Sequence, residues 1–240
     1  MQKNKRLTLV EHLEELRSRL AKSAIFVVVA SCLFYGVVGY ILPHLTRPVG
    51  RLVFIAPHEA FVTNIKIAFF GGLFISLPFL ILQIWQFVKS GLKTNEKNYV
   101  LLFGPLSFLF FLAGSAFGYF IIVPIGMKFL LSFSTDIVTP MIAISRYVSF
   151  LGVLTFAFGL VFELPLIVLF LTKIGITTPQ FLAARRREAI VLIFISAAVL
   201  TPPDIITQCL MALPLLILYE IGIIFSKLAY RSKRGPDKAP

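Results

Sequence analysis

The feature that most constrains this chain is a series of long apolar runs with charges only at their ends. Residues 24–42, 67–88, 100–123 and 148–171 form four such runs, followed by a short one at 189–200 and a last one at 205–225. A helix needs about 20 apolar residues to cross roughly 30 Å of hydrocarbon. The fifth run reaches only about 18 Å at 1.5 Å per residue. Backbone inside a bilayer must satisfy its own hydrogen bonds, and these runs are continuous rather than alternating, which predicts helices and not a barrel. With only 14% charged and 58% hydrophobic residues, the chain cannot cover a soluble globule with polar surface. The expectation is an all-α integral membrane protein. Residues 1–240 form a single polytopic membrane domain with six transmembrane helices, the last two joined by a tight turn, TPPD at 201–204.

Lys and Arg set the orientation. Residues 1–22 hold six, 89–99 three, 172–188 four, and the tail from Lys227 five. The opposite loops hold only Arg47, Arg51, Lys66, Lys128 and Arg146. The positive-inside rule then predicts that both termini are cytoplasmic. The same placement accounts for the net charge of +12 without nucleic acid, because the charges flank the spans. The charged residues ahead of the first run, and that run's length, argue against a cleaved signal peptide.

Three stretches stand out. LVEHLEELRSRL (9–20) reads as a short amphipathic helix beside the bilayer, with Leu9, Leu13, Leu16 and Leu20 on one stripe. Glu15 with Arg19, and Glu14 with Arg17, are spaced to pair along it; a carboxylate here is equally available to an external cation. In QIWQFVKSGLKTNEKN (83–98), Trp85 and Phe87 suit the interface at the end of the second span. Glu96 is the one acid among Lys89, Lys93 and Lys97: a charge balance, or a contact for an arginine. AFGLVFELPLIVLF (157–170) buries Glu163 in an apolar run two residues before Pro165. A carboxylate and a helix-breaking proline so close together suit a protein-lined pocket more than a lipid-facing surface. The plainer alternative is that Glu163 ties two helices together. Asp204 and Gln208 share a helical face after TPPD, where Asp204 alternatively caps the last helix.

Cys32 and Cys209 read as small apolar filler inside spans, and His12, His44 and His58 have no metal-ligand spacing. No phosphate-binding loop or catalytic constellation is present, so neither cofactor, metal nor enzymatic activity is expected. On the residues alone, a proton-coupled small-molecule transporter using Glu163 and Asp204 is the alternative function, although no internal repeat supports it.

Together, HLEELRSRL, APHEAFVTNIKIAFF, QIWQFVKSGLKTNEK, FELP, GITTPQ with the following arginines, and LTPPDIITQ resemble the TatC family, the multispanning subunit of the twin-arginine protein translocase. The resemblance runs from about Leu9 to Lys227. It implies a cupped, glove-like arrangement of six helices in the plasma (inner) membrane. It also implies a core receptor that binds twin-arginine signal peptides of folded precursor proteins. Such a receptor assembles with single-span Tat partner subunits in an oligomeric complex, surrounded by membrane lipids, for export driven by the proton-motive force. By the same resemblance, Glu15 and Glu96 contact the arginine pair, with Arg17 and Phe87 on the same signal-peptide face. Glu163 is the membrane-embedded acid, and Asp204 and Gln208 are the polar pair that meets a partner. Family members often carry a Tyr-Lys-His-Glu-Arg-Arg-like stretch around the loop acid. Here the sequence is Lys93-Thr94-Asn95-Glu96-Lys97-Asn98, which keeps the glutamate and changes its neighbours.

Overall fold

The structure is a computed structural model that describes residues 9–46, 52–93, 96–134, 141–200 and 205–234. The TPPD turn, and with it Pro202, Pro203 and Asp204, lies outside the described residues. The helices are α1 (Leu9–Tyr35), α2 (Val38–Thr46), α3 (Glu59–Gly91), α4 (Lys97–Phe117), α5 (Val123–Leu131), α6 (Ile144–Phe162), α7 (Leu164–Ile174), α8 (Pro179–Ala184), α9 (Arg186–Leu200) and α10 (Ile205–Arg234). Among the described residues the one departure toward β structure is a parallel bridge between Val53 and Ala143.

Among the described residues, five helical stretches are long and apolar enough to cross a membrane: Val10–Tyr35, Glu59–Gly91, Lys97–Leu131, Ile144–Ile174 and Gln208–Tyr230. The fifth expected span corresponds to α9. Its 15 residues, three more than the apolar run, still give only about 22 Å of helix. The other helices extend past their apolar runs because the flanking Lys, Glu, Gln and Arg are good helix formers. For the same reason the amphipathic segment 9–20 and the first span are not separate elements. They form the single helix α1, which stops at Tyr35 before the turn at Gly36 and Val37, rather than continuing to residue 42.

The chain divides into two compact units. The first comprises residues 1–108 and 139–152, and the second residues 109–138 and 153–240. In the first unit, α1 runs antiparallel to α3 along most of its length. His12 stacks on Phe87, Phe26 on Phe79 with ring centroids 4.4 Å apart, and Phe34 lies over Gly71. At Gly72 a β-carbon would collide with the Ser31 backbone, so only glycine permits this approach. Trp85 is buried here, and its Nε1 donates to Ser107 Oγ at 2.9 Å. It is therefore a core residue and not the interfacial aromatic its position suggested. Its indole N–H has found a partner, as a buried one must.

In the second unit, α4 meets α6 through small residues. Gly114 faces Phe158 and Phe162, Gly118 faces Leu154 and Thr155, and Gly159 faces Ser115 and Phe111. Just beyond, residues Gly118–Ile122 form a π turn in which Val123 N bonds Gly118 O. Pro124 lacks the N–H that a regular turn would use, and the wider turn absorbs the missing bond. Helix α7 ends at Gly175, whose positive φ of 86° allows Ile176 N to reach back to Leu171 O at 2.9 Å. Helix α8 then starts at Thr178, whose Oγ1 accepts from Phe181 N, with Pro179 in the first turn. Thus GITTPQ is a helix stop followed by a helix start. Thr172 and Ser226 close the α7–α10 contact with a buried hydroxyl pair 2.8 Å apart.

Both cysteines are exposed on helix faces rather than packed as filler. Many large apolar side chains, Leu33, Leu101 and Val199 among them, are likewise exposed on the bare protein. Such faces suit contact with lipid.

The α1–α3 contact yields a direct test. Gly72→Ala should force the helices apart and cost about 1–3 kcal/mol, as overpacking does. Gly39, with open space around its α-carbon, should accept Ala with no loss. Thermal unfolding of detergent-solubilised protein reads both. A Gly72→Ala protein as stable as the parent would rule out the close approach.

Candidate functional site

The leucine stripe and the polar residues of α1 exchange the places expected for them. Leu13, Leu16 and Leu20 are exposed. His12, Glu15 and Arg19, at steps of three and four, are half-buried against α3. In a membrane protein the apolar stripe can meet lipid, so the polar stripe is the one that must find protein partners. Arg19 Nε and Nη2 both donate to Glu15 Oε1, at 2.9 and 2.6 Å. Its Nη1 donates to Gln83 Oε1 at 2.9 Å and to Gln86 Oε1 at 2.8 Å on α3. Glu15 Oε2 is shielded from solvent and lies 3.8 Å from His12 Nδ1, with the Ser90 hydroxyl beside the same carboxylate. His12 stacks on Phe87 with centroids 4.3 Å apart, and its Nδ1 is 3.4 Å from Ser90 Oγ.

The structure thus brings Glu15 and Phe87 together through His12. The expected Glu15–Arg19 pair forms. The Glu14–Arg17 pair does not, and both of those side chains are exposed. Glu96 sits in the turn before α4, where its own Oε2 accepts from Lys93 N at 3.2 Å and its backbone N–H donates to Lys93 O at 2.8 Å. These bonds are local, and Glu96 is half-buried a few residues after the end of α3. Sequence reasoning missed His12, Gln83, Gln86 and Ser90. The available signal was the spacing of His12, Glu15 and Arg19 as a second stripe, and of Gln83, Gln86 and Ser90 as a third.

Glu163 occupies the break between α6 and α7. Pro165 and Leu166 are fully buried, Glu163 N donates to Leu160 O in a tightened turn, and Ile167 N picks up Glu163 O at 2.8 Å. The expected interruption by Pro165 is present. The Glu163 side chain is half-buried, with Oε1 shielded from solvent. Gln208, also half-buried, donates from Nε2 to Phe194 O at 3.0 Å and so joins α10 to α9.

A second polar cluster, at the other end of α3, had no counterpart in the sequence reading. Glu59 opens α3, and its two carboxylate oxygens accept from Ile55 N at 2.7 Å and Ser145 N at 3.2 Å. Lys66 Nζ donates to Ser145 Oγ at 2.7 Å, and Tyr147 OH donates to Leu45 O at 3.0 Å. Beside them Val53 N donates to Ile142 O and Val53 O accepts from Ile144 N. The acid in APHEAFVTN thus clasps the segment just before α3, through Ile55, to the start of α6, through Ser145, 86 residues further on.

A family model described as Sec-independent protein translocase protein (TatC) matches residues 11–214. The chain belongs to the TatC family. The TatC protein of Carboxydothermus hydrogenoformans is 44% identical over 93% of this chain and 94% of its own length. The TatC of Aquifex aeolicus is 38% identical over 97% of this chain and its whole length. A crystal structure of a twin-arginine translocase receptor, TatC, superposes with a TM-score of 0.85 at 38% identity, covering 92% of this chain and all of that one. The TatC assignment makes this an integral membrane component of a protein translocase, not an enzyme, and sets aside the small-molecule transporter.

Within this TatC-family chain, the Glu59 clasp predicts a measurable rigidity. Glu59→Ala removes the acceptors of Ile55 N and Ser145 N together. Hydrogen–deuterium exchange at residues 53–55 and 144–145 should accelerate at least severalfold in the variant, with exchange in α10 unaltered. Unchanged exchange at those amides would contradict the clasp.

Proposed function

We propose that the chain is the core receptor subunit of a twin-arginine translocase, lying in the inner membrane with both termini in the cytoplasm. It binds twin-arginine signal peptides of folded precursors at the end of the first unit where α1 begins and α3 ends. The observation that carries this reading is Glu15. Its carboxylate is held between two helices and already accepts two bonds from a guanidinium. A guanidinium is permanently charged and prefers a forked contact with a carboxylate, which a lysine ammonium cannot reproduce. Family membership and the name of the superposed receptor support the substrate class. Glu96 supplies a second carboxylate, Phe87 an aromatic surface, and Arg17 an exposed polar contact on the same end of the unit.

Assembly with single-span Tat partner subunits is assigned to the second unit. Glu163 stands at a helix break inside a span, where a polar group is expensive in lipid and is satisfied by protein or water. The Gln208 bond to Phe194 uses one of the four hydrogen-bonding positions of its amide, leaving others for a partner helix. Asp204 completes this polar set by its sequence position. Folded cargo then crosses under the proton-motive force, with the chain supplying recognition and assembly and no covalent chemistry.

Two outcomes test the two halves. Glu15→Gln and Glu96→Gln should each weaken binding of a twin-arginine signal peptide by about 1.5–3 kcal/mol, the worth of a charge-assisted contact, with membrane insertion kept. If both variants bind as tightly as the parent, the arginine site is elsewhere. Glu163→Ala should impair partner assembly or transport more than Glu163→Gln, which keeps a hydrogen-bonding group, while peptide binding survives in both. A Glu163→Ala protein that assembles and transports normally would remove Glu163 from the partner site.

A further inference from the structure

The same guanidinium contact that marks the site also fills it. Arg19 uses four of its five N–H donors: two on Glu15 Oε1 and two on Gln83 and Gln86. Arg19 and Glu15 are four residues apart on one helix, so the pairing forms with α1 itself and needs no partner. Both side chains are about four-fifths covered, so water competes weakly for the contact. A second guanidinium approaching Glu15 finds Oε1 saturated and Oε2 shielded from solvent beside His12.

We infer that Arg19 is a resident internal ligand of the Glu15 site, and that a twin-arginine peptide binds by exchange, taking the carboxylate as Arg19 gives it up. The inference rests on the reading of Glu15 as a peptide contact. The two α3 glutamines make the exchange feasible. When Nε and Nη2 leave Glu15, Nη1 keeps its bonds to Gln83 and Gln86, so the displaced side chain stays anchored to α3. One guanidinium replaces another, so the carboxylate never stands unpaired. Occupancy by the internal arginine lowers apparent peptide affinity by the fraction of time it holds the carboxylate. If Arg19 holds it about nine-tenths of the time, the reduction is about tenfold. The exchange sets a threshold: a sequence with one weak cation fails to displace Arg19, whereas a pair of arginines with its flanking contacts succeeds.

Competition has a signature that pocket-shaping lacks. An internal competitor penalises every peptide that must displace it by the same factor. The test uses the full-length chain in nanodiscs and fluorescence anisotropy with two labelled signal peptides, one carrying two consecutive arginines and one carrying two lysines in their place. Arg19→Gln should tighten both peptides by a common factor, about tenfold for the occupancy above. Arg19→Lys, which keeps the charge but loses the fork, should tighten both by a smaller common factor. Lys22→Gln removes one exposed positive charge on the same helix and should leave both affinities near the parent values. Weaker or unchanged binding in Arg19→Gln overturns the exchange, as does an equal gain in Lys22→Gln or a gain confined to one peptide. Glu15→Gln separates the two levels. If it leaves parent affinity unchanged, the Glu15 site falls and the inference with it. If it weakens binding while Arg19→Gln fails to tighten it, only the exchange falls.

Discussion

The absence of a side chain at Gly72 is the constraint on which the first unit depends. It lets the backbone of α1 at Ser31 rest directly on α3. In lipid there is no hydrophobic gain from joining two apolar helices, so close van der Waals contact and polar bonds between them must supply the attraction. Here the two are arranged in series along one antiparallel pair. Small residues set the distance at mid-helix, stacked rings at Phe26 and Phe79 fill the next turns, and the polar group of His12, Glu15 and Arg19 meets Gln83, Gln86 and Ser90 at the end. A wider spacing at Gly72 would withdraw Arg19 from the glutamines. The polar group of His12, Glu15 and Arg19, where we propose recognition, is therefore positioned by packing some 20 Å away along the helix, by the rise of about 1.5 Å per residue.

The same economy governs the polar groups elsewhere. Several hydroxyls return to their own helix carbonyls, as Ser76 does to Gly72 and Thr63 to Glu59, or pair across helices, as Thr172 does with Ser226. Helix ends are closed by Thr178 and Gly175, and Glu59 ties off the amides of Ile55 and Ser145. Against that background the residues we propose for contact with another chain are Glu15, Glu96, Glu163 and Gln208.

Much of this was legible in the sequence, where the physics is local. Apolar run length gave the long helices, Pro165 gave the break beside Glu163, and four-residue spacing gave the Glu15–Arg19 pair. What was not legible depends on residues far apart. Nothing in LVEHLEELRSRL says that Arg19 meets glutamines 64 and 67 positions later. Nor does it reveal that Leu13, Leu16 and Leu20 face outward: in water such a leucine stripe would be the buried one, and the bilayer reverses the rule. Nothing local marks Glu59, because its partner Ser145 comes from the start of α6, far along the chain. The join between the amphipathic segment and the first span was invisible because glutamate and arginine sustain a helix as well as leucine does. Trp85 was misread because a terminal aromatic suits an interface and a core alike, and only Ser107 decides between them.

The central claim is that the end of the first unit built from α1 and α3 receives the arginine pair. Site-specific photocrosslinking tests it most directly. A photoreactive residue next to the two arginines of a signal peptide should be captured at His12, Gln86, Phe87 or the turn around Glu96, and capture should vanish when the arginines are replaced. Capture concentrated instead at the Glu59–Ser145 clasp or on α9 and α10, with none near Glu15, would contradict the account.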